Sequence, residues 1–292
     1  MPVSLPADAN PRGLANDALD REYNARASVP DWLVYLQAYQ KDSARARATL
    51  PCVTGVPYGE HPDETLDIFP ASHANAPVFV YIHGGYWRAL SKDDSAFMAP
   101  ALHQAGATVV IVNYALAPAV SVETIVTQCR RAVAWVYQNI HRHNGNPARI
   151  HCSGSSAGGH LVGMLLAPGW HAGQQVPESV VHSASTFSGL FDLRLLVDTH
   201  INEWTQFTPE SARALSPRFH LPVRPCAVVV ACGALESGEF RRQSAEYAQA
   251  LMRADARVYA LEVAGTNHFS VVQELANPAS AVSQRIYRVM GL

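Results

Sequence analysis

The stretch "RIHCSGSSAGGHLVGMLLA", residues 149–167, decides which fold we expect for this chain. Arg149–Ser153 has the apolar character of a short buried strand, and Ser156–Ala167 has the pattern of a helix. Gly154, Ser156 and Gly158 have the Gly-x-Ser-x-Gly spacing of a nucleophile elbow, in which the glycines leave room for a sharp turn that carries the serine. Ser156 is therefore the predicted nucleophile, but a plain glycine-rich turn has the same spacing, so the rest of the chain must decide.

The composition is typical of a globular protein with one large core. The chain has 292 residues, of which 48% are hydrophobic and 16% charged, and we expect a single domain over residues 1–292. The net charge is −2 and no basic stripe is present, so we expect no nucleic-acid partner. The five scattered cysteines favour a reducing compartment, and the sequence has neither a signal-peptide pattern nor a long apolar run. We expect a cytoplasmic protein without membrane contact, and the sequence leaves a homodimer open.

Short apolar runs alternate with helical patterns along most of the chain. The predicted strands are Cys52–Val56, Leu66–Phe69, Val78–His83, Thr108–Asn113, Arg149–Ser153, Val180–Phe187, Cys226–Ala231 and Val258–Val263. The predicted helices are Lys92–Gln104, Val122–Arg142, Ser156–Ala167, Phe240–Arg253 and Ala279–Val289. Strands that are apolar on both faces belong to a sheet covered on both sides. The pattern predicts an α/β fold with a mostly parallel, eight-stranded sheet and helices on both faces.

Two segments depart from this alternation. Residues 1–50 have a polar, helical pattern and are predicted to form an N-terminal helical extension. Residues 190–224 are rich in Pro, Ser and Thr, and we interpret them as an inserted lid or cap.

A serine nucleophile needs hydrogen-bond donors for the oxyanion that forms during attack. Gly84 and Gly85 directly follow the third predicted strand, where their backbone N–H groups are candidates for this role. The N–H of Ala157, at the start of the helix after Ser156, is the third candidate. A tight strand-to-loop turn would also explain the two glycines taken alone.

A general base and an acid must complete the site, in the chain order serine, acid, histidine of α/β-hydrolases. His268 is the histidine that lies beyond the last predicted strand, and it is the predicted base. Glu236 leaves the seventh strand and is the predicted acid. Glu239 is its main rival, although an acid in the first turn of a helix needs no other explanation, and Asp192 is a weaker candidate.

The segments "HGGYW", "GSSAGGHL", "SGLFDL", "ESGEFRRQS" and "NHFSVV" occur in this order, preceded by "REYNARASVPD" and "YGEHPDETLDIF". Together they resemble the kynurenine formamidase, or arylformamidase, branch of the α/β-hydrolases over nearly the whole chain. The resemblance implies a triad of Ser156, Glu236 and His268, an oxyanion hole at the HGG glycines and Ala157, and no metal or other cofactor. The chain departs from the family pattern at Glu236, where Asp is usual, and at Ser155, where His is frequent.

These observations predict a serine hydrolase of a small aryl amide or ester, which reacts through an acyl-enzyme. The resemblance favours N-formylkynurenine-like substrates. A carboxylesterase for small aryl or short-chain esters is the alternative within this class, and a non-catalytic binding protein is the alternative from another class.

Five aromatic residues lie beside the predicted reactive groups. They follow the oxyanion glycines, fall in the inserted segment or follow the base: Tyr86, Trp87, Phe191, Trp204 and Phe269. Because open α/β sheets bind ligands at the carboxyl ends of their strands, we predict that these residues form an aryl-binding pocket. Packing of the inserted segment onto the core would also explain Trp204 and Phe191.

Overall fold

Eight strands form a single sheet in the computed structural model, which describes residues 16–292. The strands are β1 Val53–Pro57, β2 Thr65–Phe69, β3 Ala76–Ile82, β4 Thr108–Val112, β5 Gly145–Ser155, β6 Ser183–Phe187, β7 Ala227–Gly233 and β8 Arg257–Val263. The helices are α1 Asn16–Tyr23, α2 Trp32–Thr49, α3 Ala99–Gln104, α4 Val122–Asn139, α5 Ala157–Leu166, α6 Asn202–Thr205, α7 Pro209–Ala214, α8 Gly238–Arg253 and α9 Ala281–Met290. Each predicted strand corresponds to one observed strand.

The strand order is β1-β2-β4-β3-β5-β6-β7-β8. The two pairings of β2 are antiparallel, and the pairings from β4 through β3 to β8 are parallel. From β3 the chain moves to one side to form β4 and then to the other side to form β5. Ligands of open α/β sheets bind where the strand order reverses in this way, so the loops that leave β3 and β5 flank the expected crevice.

Helices cover both faces of the sheet. Val80 of β3 belongs to the hydrophobic cluster that includes Ile125 of α4 and Leu161 of α5. Its neighbour Phe79 belongs to a second cluster, which includes Ile286 of α9. Because side chains alternate between the faces of a strand, these clusters lie on opposite faces. The prediction of a mostly parallel sheet with helices on both faces is confirmed.

One predicted helix, Lys92–Gln104, is broken. A 3₁₀ turn at Lys92–Asp94 is closed by reciprocal hydrogen bonds between Ser91 and Asp94, and α3 begins at Ala99. The N–H of Ala96 donates to the Ser43 hydroxyl at 2.8 Å, so it does not donate to a backbone carbonyl of a continuous helix.

The predicted N-terminal extension contains α1 and α2, and its first 15 residues lie outside the described part of the chain. Residues 190–224 consist of loops, 3₁₀ turns and the short helices α6 and α7.

Candidate active site

Ser156 occupies a sharp turn between β5 and α5. Its backbone angles are φ 56° and ψ −118°, a strained combination that persists only where the surrounding structure holds it. A Cβ on Gly154 would lie 2.4 Å from the Gly158 carbonyl oxygen, and one on Gly158 would lie 2.1 Å from the Ile82 carbonyl oxygen. The two glycines therefore allow β3, β5 and α5 to approach each other. The N–H of Ser156 donates to the Phe187 carbonyl at 2.8 Å and fixes the turn on β6.

His268 and Glu236 meet at the carboxyl ends of β8 and β7. The Nδ1 atom of His268 lies 2.7 Å from Oε2 of Glu236. The other carboxylate oxygen, Oε1, accepts hydrogen bonds from the Gly233 N–H and the Ser188 hydroxyl, each at 2.5 Å. Because the carboxylate accepts from Nδ1–H, the unprotonated nitrogen of a neutral His268 ring is Nε2. The arrangement therefore holds the histidine tautomer in which Nε2 serves as a base.

The two other acids considered from the sequence have different partners. Glu239 forms an ion pair with Arg242 at 2.5 Å, and its Oε2 accepts the Tyr23 hydroxyl at 3.0 Å. Asp192 pairs with Arg194 at 2.9 Å and with a second arginine of the inserted segment. Glu236 is thus the acid that the structure places against His268.

The loop after β3 approaches the Ser156 turn closely. A Cβ on Gly84 would lie 2.7 Å from the Ser155 carbonyl oxygen and 3.3 Å from the Ser156 Cβ. Gly85, Tyr86 and Trp87 all have positive φ angles, which turn the backbone sharply. These contacts place the loop glycines beside the predicted nucleophile.

Two further features shape this corner of the site. Ala157 is the first residue of α5, so its N–H has no acceptor within the helix. His83 stacks on Tyr114 with ring centroids 4.0 Å apart, and its Nδ1 lies 2.9 Å from the Gly84 carbonyl oxygen. Burial lowers the pKa of His83 to about 4, so this ring is neutral at neutral pH. It anchors the loop and carries no charge there.

A cavity of about 320 Å³ opens over these groups. Ser156 and His268 both line it, although their residues are only 6% and 7% exposed. Gly84 and Gly85 also line it, and so do three of the predicted aromatic residues, Tyr86, Trp204 and Phe269. Seven of the 21 lining residues are Tyr, Phe or Trp, so a third of the residues in the cavity wall are aromatic.

Trp87 and Phe191 lie in the core, and their prediction as pocket residues was wrong. Trp87 is fully buried, and its indole N–H donates to Nδ1 of His160 at 3.2 Å. Phe191 stacks on Tyr247 with ring centroids 4.0 Å apart. Both residues therefore pack in the core and do not line the cavity.

The N-terminal segment also contributes to the cavity wall, which was not predicted from the sequence. Tyr23 and Arg26 line the cavity, as do Tyr39 of α2 and Arg88 of the loop after β3. The Tyr86 hydroxyl donates to the Tyr23 carbonyl at 2.6 Å, which joins the segment to the loop after β3. At Tyr23 and Arg26 the sequence offered the family-like string "REYNARA", and nothing local in it indicates a cavity wall.

Residues 16–292 contain no group of three or more His, Cys, Asp or Glu side chains placed to hold a metal ion. None of the helices described is long and apolar enough to cross a membrane.

Comparison with known proteins identifies the family. The kynurenine formamidase of Danio rerio is 33% identical over 293 residues, which cover 96% of this chain and 98% of that protein. The chain belongs to the kynurenine formamidase family. The family model described as BD-FAE matches residues 66–199, which include the loop after β3 and the turn at Ser156.

Solved structures share this fold. A protein from Silicibacter sp. TM1040 has a TM-score of 0.81 and 28% identity, with 91% of this chain and 97% of that chain covered. An esterase from Pyrobaculum calidifontis, at 21% identity, shares the fold with a TM-score of 0.65 over 89% of this chain and 93% of its own. The chain is therefore an enzyme of the α/β-hydrolase fold, a serine hydrolase of the arylformamidase or esterase type. This confirms the predicted fold and reaction class and goes against a non-catalytic binding protein.

Proposed function

We propose that this enzyme is an arylformamidase that hydrolyses N-formylkynurenine-like substrates. The observation that carries the proposal is the contact of Glu236 with His268 in the wall of an aromatic cavity that also exposes Ser156. The 33% identical relative from Danio rerio, a kynurenine formamidase, supports this choice of substrate.

In the proposed reaction, Ser156 Oγ attacks the formyl carbon and His268 Nε2 takes the hydroxyl proton. Glu236 stabilises the imidazolium that forms and keeps the ring oriented. The oxyanion of the tetrahedral intermediate accepts hydrogen bonds from the N–H groups of Ala157 and of Gly84 or Gly85. Losing one such donor typically costs about 3 kcal/mol of transition-state stabilisation.

The intermediate collapses when the bond between carbon and nitrogen breaks. His268 returns its proton to the departing aryl amine, and the formyl group stays on Ser156 as an ester. A water molecule, activated by His268, then attacks this ester and releases formate and free Ser156. The aromatic residues Tyr86, Trp204 and Phe269 hold the aryl part of the substrate.

Formamidase and esterase activity use the same groups, so relative turnover is the decisive measurement. We expect kcat/KM for N-formylkynurenine to exceed that for 4-nitrophenyl acetate. We also expect a fluorophosphonate reagent to label Ser156 and to abolish both activities. Efficient cleavage of the ester without cleavage of the formamide would instead assign the enzyme to the carboxylesterases.

Other features of the proposal concern the whole protein. We propose a single catalytic domain in which residues 190–224 act as a lid. The five cysteines are free thiols, which supports a reducing, cytoplasmic location. A homodimer stays a prediction, which the molar mass from size-exclusion chromatography with light scattering would test.

A further inference from the structure

The cavity has a positive charge that the proposed reaction does not use. Arg26 and Arg88 line it, and none of its lining residues is Asp or Glu. Another lining residue, His200, has a carboxylate partner in Asp20, at 2.8 Å. The whole chain has 22 Lys and Arg residues against 24 Asp and Glu residues, so this local excess runs against the net charge of −2.

Both arginines rest on indole rings. The guanidinium carbon of Arg26 lies 4.5 Å from the ring centroid of Trp32, and that of Arg88 lies 4.1 Å from the ring centroid of Trp204. Neither arginine forms an ion pair with a carboxylate among residues 16–292, and both residues are exposed. A guanidinium held on an aromatic face keeps its N–H donors free for a planar anion.

The residues that hold these two arginines in place also contact the loops that carry the reactive groups. The N–H of Arg88 donates to the Gly85 carbonyl at 3.0 Å, so Arg88 belongs to the turn that carries the oxyanion glycines. The indole N–H of Trp204 donates to the Tyr86 carbonyl at 3.0 Å, which fixes the ring beneath Arg88. On the other side, Trp32 lies 6.3 Å from Phe269, which directly follows His268.

We propose that Arg26 and Arg88 form a carboxylate-binding subsite that selects aryl substrates with an anionic group on the leaving amine or alcohol. The proposal rests on the proposed function, because it takes the reacting acyl group to lie at Ser156 and the remainder of the substrate to lie in the cavity. A carboxylate is the anion best matched to a guanidinium, since two parallel N–H donors bind its two oxygens. Neutral aryl formamides and esters then bind more weakly than their acidic counterparts.

The test compares N-formylkynurenine with its carboxamide, in which only the carboxylate is replaced. In the native enzyme we expect the carboxamide to have a KM at least tenfold higher, because it loses its charged hydrogen bonds to both arginines and one such bond is worth about tenfold. Arg88→Gln and Arg26→Gln should each raise KM for the acid about tenfold, with kcat nearly unchanged, because binding is lost equally in the ground and transition states. The same variants should leave KM for the carboxamide within about twofold of the native value.

Arg213→Gln is the matched control. Its guanidinium carbon lies 4.3 Å from the ring centroid of Phe219, so it has a similar aromatic contact, but it does not line the cavity. We expect native KM values for both substrates in this variant. The subsite is refuted if Arg88→Gln and Arg26→Gln raise KM equally for acid and carboxamide, or if Arg213→Gln has the same effect as they do.

A pair of acetate esters separates failure of the subsite from failure of the proposed function. 3-Acetoxybenzoate and 3-acetoxybenzamide differ only in the charge of the leaving group. One outcome is that formamides are not cleaved, while the native enzyme prefers the benzoate and the arginine variants lose this preference. The subsite then stands and the formamidase assignment falls. If formamides are cleaved but acid and amide have equal KM in both substrate pairs, the subsite falls and the formamidase assignment stands.

Discussion

At the scale of single residues, the site depends on Ser156, whose backbone conformation differs from that of its neighbour Ser155. Ser155 ends β5, paired with Phe187 of β6, whereas Ser156 has a positive φ and lies between β5 and α5. Both serines line the cavity, so exposure does not distinguish them. The turn distinguishes them, because Gly154 and Gly158 make room for the strained backbone at Ser156 and not at Ser155.

The first prediction follows from this difference. Ser156→Ala should lower kcat about 10⁴-fold or more, because the group that forms the acyl-enzyme is lost. Ser155→Ala should keep the reaction, and both variants should show native circular dichroism. Steady-state kinetics and fluorophosphonate labelling provide the measurements. An inactive Ser155→Ala enzyme beside an active Ser156→Ala enzyme would reverse the assignment.

The second prediction concerns the two glutamates. In Glu236→Gln the amide oxygen must stay with the Gly233 and Ser188 donors, which turns the NH₂ group toward His268 Nδ1. The ring then has its proton on Nε2 and loses its function as a base, so kcat should fall about 10⁴-fold. Glu239→Gln weakens the ion pair with Arg242 and should affect thermal stability more than kcat. If Glu239→Gln lowers kcat more than Glu236→Gln, the acid must be reassigned.

At the scale of elements, α1 and the residues after it connect three loops of the site. The Tyr23 carbonyl accepts from Tyr86 in the loop after β3, and the Glu22 carbonyl accepts from Ser237 in the loop that follows Glu236. Asp20 accepts from His200 in the inserted segment. This part of the N-terminal extension is therefore a structural component of the site.

The third prediction tests this connection with Tyr86→Phe. The substitution removes the 2.6 Å hydrogen bond to the Tyr23 carbonyl and keeps the aromatic ring. We expect the free energy of unfolding to fall by about 1 kcal/mol and kcat/KM to fall about fivefold, because the cavity wall is held less firmly. Tyr259→Phe, on β8 outside the cavity, is the control. Equal kinetics for native enzyme and Tyr86→Phe would show that the hydrogen bond has no role in catalysis.

At the scale of the whole molecule, residues from distant parts of the chain form one aromatic cavity. Its aromatic members are Tyr23, Tyr39, Tyr81, Tyr86, Phe97, Trp204 and Phe269. Phe269 stacks on Tyr35 with ring centroids 6.1 Å apart, and Tyr39 stacks on Phe97 at 4.8 Å, so part of this wall is fixed by ring contacts.

The fourth prediction is a preference for aryl groups. A favourable aromatic pair contributes about 0.5–1.5 kcal/mol beyond area burial. We therefore expect kcat/KM for a phenyl ester or formamide to exceed that of the matched cyclohexyl compound by about threefold to tenfold. Equal values would assign these rings to packing and leave the choice of an aryl substrate to family membership alone.

The fifth prediction is a loss of stability in acid that comes from buried histidines. Burial lowers the pKa of His83 and of His160 to about 4 and that of His151 to about 3. The unfolded chain takes up these protons near the ordinary value of 6.5, and the folded chain does not until the pH is far lower. The free energy of unfolding should therefore fall by about 1.4 kcal/mol per pH unit for each histidine between pH 6.5 and 4.

His151→Gln isolates one of these contributions. Urea unfolding at pH 6, 5.5 and 5 should show a slope against pH that is shallower by about 1.2 kcal/mol per unit, whatever the stability at neutral pH. His141→Gln, at an exposed position, is the matched control. An unchanged slope in His151→Gln would mean that this ring is not buried as a neutral group.

Features that depend on residues close together in the chain could be predicted from the sequence alone. Eight strands, the strand-turn-helix at Ser156 and the fold class follow from apolar runs and glycine spacing, because these act over a few residues. The tertiary structure distinguishes the two glutamates that the sequence left as rivals, because Glu236, in the turn after β7, contacts His268, whereas Glu239, in the first turn of α8, pairs with Arg242. It also placed Trp87 and Phe191 in the core and brought Arg26 into the cavity wall, because contacts between distant segments of a chain leave no local pattern.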